Sequence, residues 1–354
     1  MKRILITGGA GFVGSSLAVL TKQYQTNVEV ICLDNLSRKG SELNLARLQQ
    51  NGIKFVHGDV RNKEDLERIG AVDWLIECSA EPSVHAGYGE SPSYLINTNL
   101  LGLIHCLEFL RQSGGDLIFL STSRVYPIAK LRDLPLIPEN RRFILKNTDC
   151  KGVSPRGISE DFTLEGSRSL YGATKLCAEL LIQEYHQMYG MRAIINRCGV
   201  LAGPWQMGKV DQGFMALWVA RHFFAEPLQY MGFGGEGLQV RDVLHVKDLF
   251  RLLQIQMQQI SSHSFGTYNV GGGNENSVSL LELTQMVEEC TRKTIHIGQD
   301  PKTRDADIPF YVTDFTKVNQ KTQWQPEITI PMIIEEIHTW IQKNATLLRP
   351  IFQV

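Results

Sequence analysis

The sequence has almost no net charge, and it has no long apolar run. Its 36 lysines and arginines nearly balance 37 aspartates and glutamates, which leaves a formal charge of -1. This balance does not provide the basic surface with which proteins bind nucleic acids or anionic membranes. No run approaches the roughly 18 apolar residues that a membrane-spanning helix needs. We therefore expect a protein that binds neither nucleic acid nor a membrane.

Cysteine pairs and metal-ligand patterns are also missing. The seven cysteines are odd in number and widely spread, without a CxxC pair, and the nine histidines lack ligand spacing. This distribution is typical of reduced cysteines and argues against a disulfide framework or a zinc site. We expect no metal site and a cytoplasmic location.

Short β-branched runs alternate with helix-length segments through the first two-thirds of the chain. The predicted strands are Arg3–Thr7, Val28–Leu33, Lys54–His57, Trp74–Cys78, Asp116–Ser121 and Ala193–Arg197. The predicted helices are Gly11–Tyr24, Glu42–Gln50, Lys63–Ile69, Tyr94–Arg111 and Leu170–Tyr189. This alternation predicts right-handed βαβ units around one parallel sheet, the doubly wound Rossmann fold of the α/β class.

The last third of the chain has a different character, because glycine clusters break its periodicity. We expect it to form a smaller mixed α/β domain that binds the substrate. The predicted boundaries are 1–200 for the cofactor-binding domain, with a return of the chain at about 240–268, and 201–239 with 269–345 for the substrate-binding domain.

Two further segments stand apart in the sequence. A long excursion, residues 127–169, is rich in Pro, Gly and Arg, and a loop of this length usually covers a functional site. The segment from Trp340 onward is expected to be a helix end and a tail.

A glycine-rich loop, Thr7-Gly-Gly-Ala-Gly-Phe-Val-Gly14, directly follows the first predicted strand and opens a helix. Glycines allow a sharp turn and a close approach of the backbone to a pyrophosphate, which the helix N-terminus binds through its N–H groups. In this context the GxGxxG pattern predicts a dinucleotide site. Asp34, at the end of the second strand, would accept hydrogen bonds from ribose hydroxyls and repel a 2′-phosphate, so NAD is favoured over NADP. Arg38 lies close by and would soften that preference.

Tyr171 and Lys175 are spaced i, i+4, which places a phenol and an ammonium on one face of a predicted helix. A tyrosine has a pKa near 10, and neighbouring positive charge lowers it. Tyr171 could then exchange a proton with a substrate hydroxyl. The buried run that ends in Ser121-Thr122-Ser123 would bring hydroxyls to the same carboxyl edge of the sheet, where doubly wound folds bind ligands.

With these motifs the sequence resembles the extended short-chain dehydrogenase/reductases that act on nucleotide sugars, from Thr7 to about Trp324. The resemblance implies bound NAD and a catalytic set of Thr122, Tyr171 and Lys175. The implied cofactor-binding residues are Gly8, Gly11, Phe12, Val13, Asp34, Asn35, Ser37, Arg38, Asp59, Val60, Ala80, Asn99, Tyr171 and Lys175. The implied substrate-binding residues are Ser83, Arg124, Gln206, Arg241 and Arg304. Of these, Arg241 and Arg304 match arginines that bind the substrate diphosphate, a task that suits a guanidinium.

Within the family, the likeness is to epimerases of CDP-linked dideoxyhexoses. It rests on the stretches Asp34-Asn-Leu-Ser-Arg-Lys-Gly40, Asp211-Gln-Gly213 and Ser279-Leu-Leu-Glu-Leu283. The sequence also departs from the family pattern, since Val200 stands where an Asn is usual and Glu81-Pro82 replaces small residues and Gln. Both departures lie near the expected sugar and diphosphate site, so the family pattern does not determine which nucleotide sugar is the substrate.

The residues after Thr122 favour one reaction within the family. Its dehydratases carry an Asp-Glu pair there, because elimination of water needs an acid and a base, whereas this chain has Ser123 and Arg124. We therefore expect an NAD-dependent epimerase that oxidises a sugar transiently and returns the hydride to the opposite face. The expected substrate is a nucleotide-diphosphate sugar. The favoured candidate is a CDP-linked dideoxyhexose, which the enzyme would invert at carbon 2.

Three alternatives stay open. A UDP-sugar 4-epimerase and another nucleotide-sugar oxidoreductase fit the same motifs. A non-catalytic NAD-binding regulator is less favoured, since such proteins typically lose the Tyr or the Lys. The resemblance further implies a homodimer packed through the helices of Asn99 and Tyr171, or a homotetramer, and a role in the synthesis of cell-surface polysaccharide.

Overall fold

The structure is a computed structural model that describes residues 1–209 and 212–352. Asp211, in one of the stretches quoted above, lies outside the described residues. The strands are β1 (Lys2–Thr7), β2 (Val28–Asp34), β3 (Lys54–His57), β4 (Trp74–Glu77), β5 (Asp116–Thr122), β6 (Leu136–Glu139), β7 (Arg142–Leu145), β8 (Val153–Ser154), β9 (Gly157–Ile158), β10 (Ala193–Cys198), β11 (Val200–Ala202), β12 (Leu228–Met231), β13 (Val240–His245), β14 (Phe265–Val270), β15 (Ser277–Ser279), β16 (Ile297–Asp300) and β17 (Phe310–Tyr311).

The α-helices are α1 (Phe12–Tyr24), α2 (Asn44–Gln50), α3 (Lys63–Glu67), α4 (Ser93–Ile96), α5 (Gly102–Ser113), α6 (Ile128–Arg132), α7 (Leu170–Tyr189), α8 (Phe214–Phe224), α9 (Val246–Gln259), α10 (Leu280–Thr291), α11 (Thr316–Thr322), α12 (Ile330–Lys343) and α13 (Ala345–Phe352). Short 3-10 helices occupy Ser41–Leu43, Ser123–Val125 and Phe233–Gly235, and a π-helical turn occupies Asn97–Leu101. Each predicted strand and helix is present, with ends that differ by a few residues at most.

Seven strands form one sheet in the order β14-β10-β5-β4-β1-β2-β3. The pairings of β1 with β2 and β4, of β2 with β3 and of β4 with β5 are parallel. All seven residues of β5 are buried, as expected for a strand that helices cover on both faces. The strand order reverses between β1 and β4, so this is a doubly wound sheet with its switch point there. The predicted Rossmann fold is confirmed.

The chain divides into two compact units by its internal contacts. The first unit comprises residues 1–125, 170–197 and 249–268, and the second comprises 126–169, 198–248 and the chain from 269. This division differs from the sequence-based boundaries chiefly at 126–169 and 240–248, which group with the second unit.

The second unit contains a mixed sheet. Its strand β13 pairs in parallel with β11 and β17 and antiparallel with β15. The excursion 127–169 carries its own elements, α6 and the antiparallel pairs β6–β7 and β8–β9. Helix α10 begins at a capping box in which Ser279 and Glu282 each accept the other's backbone N–H, which satisfies two donors of the first turn.

The tail predicted after Trp340 is wrong as far as residue 352. Helix α12 ends at Lys343, and α13 follows after one residue. Leu348 and Phe352 on α13 are buried, and their i, i+4 spacing gives the short helix an apolar face. The Phe352 ring also contacts the Trp340 ring, with centroids 6.5 Å apart.

Two absences concern the described part of the chain. No helix within residues 1–209 and 212–352 is long and apolar enough to cross a membrane. Within the same residues, no group of three or more His, Cys, Asp and Glu side chains could hold a metal ion.

Candidate active site

The glycine loop connects β1 to α1 in a tight turn. Gly8 has a φ of +62°, and a Cβ added at Gly14 would lie 2.3 Å from the Gly8 carbonyl oxygen. Only glycine permits this conformation and this close packing without strain. Helix α1 begins after Gly11, which no side chain of the described residues caps, and its first turn has no acidic residue. The helix N-terminus therefore keeps N–H donors for an anion such as a pyrophosphate.

Asp34 stands at the end of β2, beside this loop. Its Oδ2 accepts the backbone N–H of Ala10 (3.0 Å), and its Oδ1 accepts that of Leu36 (2.8 Å). Burial raises the pKa of the Asp34 carboxyl, and the backbone N–H groups oppose that rise. Glycines, an uncapped helix N-terminus and a carboxylate at the end of β2 form the donor and acceptor set that a dinucleotide requires. The residues present thus fit the predicted cofactor.

A second polar cluster surrounds Asp59, after β3. Asp59 accepts hydrogen bonds from Asn35 Nδ2 (2.8 Å) and from the Arg61 guanidinium (2.6 Å). Burial raises the pKa of Asp59, but the bonds from Arg61 and Asn35 outweigh it and lower the pKa to about 2. Arg61 in turn lies 4.9 Å from the centre of the Tyr94 ring, whose hydroxyl is 3.0 Å from Ser37 Oγ. Asn35, Ser37 and Asp59, all predicted to bind the cofactor, thus belong to one cluster.

Asn99 joins two elements of the first unit. It lies in the π-helical turn Asn97–Leu101, a conformation often found at functional sites. The Glu81 backbone N–H donates to Asn99 Oδ1 (2.8 Å), and Asn99 Nδ2 donates to the Glu81 carbonyl (3.1 Å) and to Thr174 Oγ1 (3.3 Å). Asn99 therefore fixes the loop after β4, which contains Ala80 and Ser83, to α7.

Helix α7 carries Tyr171 in its first turn and Lys175 one turn later. The Lys175 side chain is 3% exposed; its Nζ donates to the Leu120 carbonyl (3.0 Å) and lies 3.5 Å from Glu77 Oε2. One further turn along, Glu179 pairs with Arg197 (2.7 Å) and accepts the Ser121 hydroxyl. Two buried ion pairs on one helix face therefore fix α7 against the sheet.

Thr122 ends β5, and Arg124 lies in the 3-10 helix that follows. Thr122 is the last residue of β5, and its Oγ1 accepts the backbone N–H of Arg124 (3.2 Å). The Lys175 ammonium is bonded to the Leu120 carbonyl of the same strand. The hydroxyl of Thr122 and this ammonium therefore both lie near the carboxyl end of β5. Sequence reasoning missed Glu77, although an acidic residue at the end of the apolar run Trp74-Leu-Ile-Glu77 was a visible signal.

The other predicted substrate residues lie in the second unit. Arg241 on β13 donates to the carbonyls of Val240 and Ile308, both at 2.7 Å, and Arg304 pairs with Asp307 at 2.9 Å. Arg241 therefore contacts the segment 304–308, to which Arg304 itself belongs. Gln206 donates to the Leu201 carbonyl (2.9 Å).

The fold and site define a class. A doubly wound sheet, a glycine loop at the switch point, an acidic residue ending β2 and a Tyr/Lys pair on α7 are the parts of a nicotinamide-dinucleotide-binding Rossmann enzyme. The chain belongs to the NAD dependent epimerase/dehydratase family, whose model matches residues 4–271. The predictions of an enzyme of this family and of NAD as its cofactor are confirmed.

Individual relatives span nearly the whole chain. It is 29% identical over 350 residues to the CDP-paratose 2-epimerase of Salmonella typhi, covering 96% of this chain and 98% of the relative. It is 26% identical over 365 residues to the UDP-glucuronate 4-epimerase of Thermodesulfobacterium geofontis, covering 98% of each. A solved structure also matches, that of UDP-glucuronic acid 4-epimerase from Bacillus cereus in complex with UDP-glucuronic acid and NAD. The TM-score is 0.78 and the sequence identity 22%, and the match covers 96% of this chain and 99% of that chain. This last likeness concerns the fold.

Proposed function

We propose that this chain is an NAD-dependent epimerase of a nucleotide-activated sugar, which oxidises the sugar to a keto-sugar and returns a hydride to its opposite face. One observation carries the proposal. Tyr171 and Lys175 lie one turn apart on α7, and the Lys175 ammonium is bonded to β5 two residues before Thr122. The first unit thus has an ammonium and a hydroxyl near the sheet edge where doubly wound folds bind ligands, with a phenol one helical turn from the ammonium.

Each of these groups has a role in moving a proton. The Tyr171 phenolate removes the proton of the sugar hydroxyl during oxidation, and the Tyr171 phenol returns it during reduction. The positive charge of Lys175 favours the phenolate, and the Thr122 hydroxyl holds the sugar oxygen. NAD, when bound, supplies the acceptor and donor of the hydride. Oxidation and reduction cancel, so a turnover has no net redox change.

The turn after Thr122 supports epimerisation over elimination of water. Ser123 and Arg124 form a 3-10 helix there, and neither side chain is a carboxylic acid. An elimination needs a general acid beside the reacting carbon, and this segment does not supply one.

The proposal also extends to which nucleotide sugar is the substrate. Our first choice is a CDP-linked dideoxyhexose inverted at carbon 2, the reaction of CDP-paratose 2-epimerase, and the similarity to that relative along the whole chain supports it. The alternative is a UDP-sugar inverted at carbon 4, which the similarity to a UDP-glucuronate 4-epimerase supports. We assign the diphosphate to Arg241 and Arg304 of the second unit, and further substrate contacts to Ser83, Arg124 and Gln206.

We also propose a cellular setting. The enzyme acts as a homodimer, or as a tetramer of two dimers, in the cytoplasm, and its product serves the synthesis of cell-surface polysaccharide. Sedimentation of the purified protein tests the oligomeric state directly.

The decisive experiment offers CDP-, UDP-, GDP- and dTDP-sugars to the purified protein in deuterated water and follows the sugar by NMR. Inversion of one carbon without deuterium in the product supports direct return of the hydride and identifies the carbon. Deuterium in the product contradicts this mechanism, because it indicates deprotonation next to a ketone. Accumulation of NADH indicates a dehydrogenase, and NAD retained without any turnover indicates a regulator.

Two variants test the assigned roles. Tyr171→Phe and Lys175→Met are each expected to lower kcat by about 10²- to 10⁴-fold, the usual contribution of general acid–base catalysis. Tyr189→Phe, at the exposed end of the same helix, is the matched control and should keep the wild-type rate. A Tyr171→Phe protein with wild-type kcat would show that another group moves the proton.

A further inference from the structure

Glu77 is a buried carboxylate that the proposed mechanism does not use. It is the last residue of β4 and is 2% exposed. Its strand borders β1 at the switch point of the sheet. Glutamates are almost never fully buried unless they are paired, so the partners of Glu77 indicate what it does.

Both oxygens of Glu77 have a partner. Oε2 lies 3.5 Å from Lys175 Nζ, and Oε1 accepts the hydroxyl of Ser79. The same ammonium donates to the Leu120 carbonyl at 3.0 Å and lies 4.4 Å from the centre of the Phe119 ring. The end of the Lys175 side chain is thus held from β4 and from β5.

We propose that Glu77 is a positioning residue, which fixes the Lys175 ammonium and moderates its charge toward Tyr171; this rests on the function proposed above. A lysine is a point charge on a flexible four-carbon chain, so its effect on a phenol depends on where the ammonium is held. Tyr171 is one helical turn away on the same face of α7. A carboxylate paired with the ammonium also cancels part of the positive field that the phenolate experiences.

Two other ionisable groups, Cys106 and Glu179, lie near the pair of Glu77 and Lys175. The buried Cys106 thiol of α5 is near enough to interact electrostatically with the pair. Burial raises the pKa of that thiol well above its ordinary value, with Glu77 raising it further and Lys175 lowering it. Glu179 is bound to Arg197 and Ser121. Glu77 is therefore the carboxylate that is paired with Lys175.

The first test does not depend on turnover. Thermal unfolding of the NAD-free protein is compared for wild type, Glu77→Gln, Lys175→Met and the double variant. Each single change leaves one charge buried without its partner, which is costly, whereas the double variant removes both. We expect the double variant to lose less Tm than the sum of the two single losses. Additive losses would overturn the proposal, because they would show that the two groups do not interact.

The second test separates positioning from mere stability. In Glu77→Gln we expect kcat to fall about tenfold with KM within about twofold. We also expect the pH at which kcat rises to move down by about half a unit or more, because the ammonium charge is no longer partly cancelled. Glu77→Asp should restore part of both effects. An unchanged pH profile in Glu77→Gln would contradict the proposal.

The matched control is Asp116→Asn. Asp116 is also a buried carboxylate of the sheet, paired with Arg192 at 2.7 Å, but it begins β5 instead of standing at the carboxyl edge. Its replacement should lower Tm and leave the pH profile unchanged. If the wild type converts no nucleotide sugar, the proposed function fails, and the unfolding cycle still decides whether Glu77 fixes Lys175.

Discussion

The Asp34 carboxylate accepts the backbone N–H of Ala10 at 3.0 Å, which ties the end of β2 to the middle of the glycine loop. One side chain thus has two tasks. It holds the loop where the pyrophosphate is expected, and it presents negative charge where the cofactor's ribose is expected. Substitutions can separate these tasks, since an amide keeps an acceptor for Ala10 but carries no charge.

We predict that Asp34→Asn binds NAD somewhat more weakly and loses about tenfold of its preference for NAD over NADP, equivalent to about 1.4 kcal/mol. Asp34→Ala should weaken the binding of both cofactors, because the loop also loses its tie. Calorimetric titration of each variant with both cofactors measures these effects. Wild-type discrimination in Asp34→Asn would show that the carboxylate charge does not select the cofactor.

We predict that Gly14→Ala is destabilised by roughly 1–3 kcal/mol, the usual cost of overpacking, and binds NAD poorly. The added Cβ would lie 2.3 Å from the Gly8 carbonyl oxygen, so the loop must move. Gly298→Ala is the control, since its nearest neighbour would be 3.8 Å away. Urea unfolding and NAD titration measure both properties, and equal behaviour of the two variants would contradict this account of the loop.

Asp242 makes stability depend on pH. It is fully buried on β13, and burial raises the pKa of its carboxyl from 3.8 to about 6, although the Gly273 N–H opposes the rise. The folded protein therefore keeps a proton that the unfolded chain has released. The stabilisation is fully present below about pH 4 and is lost as pH rises through about 6, by roughly 3 kcal/mol.

We expect Asp242→Asn to remove that loss. The free energy of unfolding, measured in urea at several pH values between 4 and 7, should decline with rising pH less in this variant than in the wild type. Asp149→Asn, at an exposed position, should follow the wild type. A decline of equal steepness in Asp242→Asn would show that Asp242 is ionised throughout this range.

Arg132, within the excursion, holds the segment that contains Arg304. Its guanidinium donates to the carbonyls of Arg304 (2.7 Å), Asp305 (3.1 Å) and Asp307 (2.9 Å). A lysine cannot reproduce this fork of donors. We predict that Arg132→Lys raises KM for the nucleotide sugar by about five- to tenfold with little change in kcat. Lys130→Ala, on the same short helix, is the control, and an unchanged KM in Arg132→Lys would exclude this role for the excursion.

The sequence allowed most of the first unit to be predicted, because local signals determine it. Strands β1, β2, β4 and β5 contain buried apolar runs, and the glycine loop and the Tyr171/Lys175 pair are spaced by backbone geometry alone. The pairing of Glu77 with Lys175 could not be foreseen, since the two residues are 98 positions apart and meet only once β4, β5 and α7 are assembled.

The second unit was harder to predict for the same reason. Its strand β13 pairs with β11, β15 and β17, and these pairings join residues far apart in the sequence. The final helix was not predicted because its apolar face consists of only a few residues. The sequence does not show that two of them, Leu348 and Phe352, are buried in the folded protein. The role of Arg132 likewise depends on three carbonyl partners that lie more than 170 positions away in the sequence.

The alternation of the two units along the chain affects how the protein can be made. Each unit is assembled from three separate stretches, so no single cut in the gene releases either of them whole. During synthesis the first unit lacks its last stretch until residue 268 has emerged, roughly three quarters of the chain. The early strands of the first unit are therefore exposed to incorrect pairing while much of the second unit is already outside the ribosome.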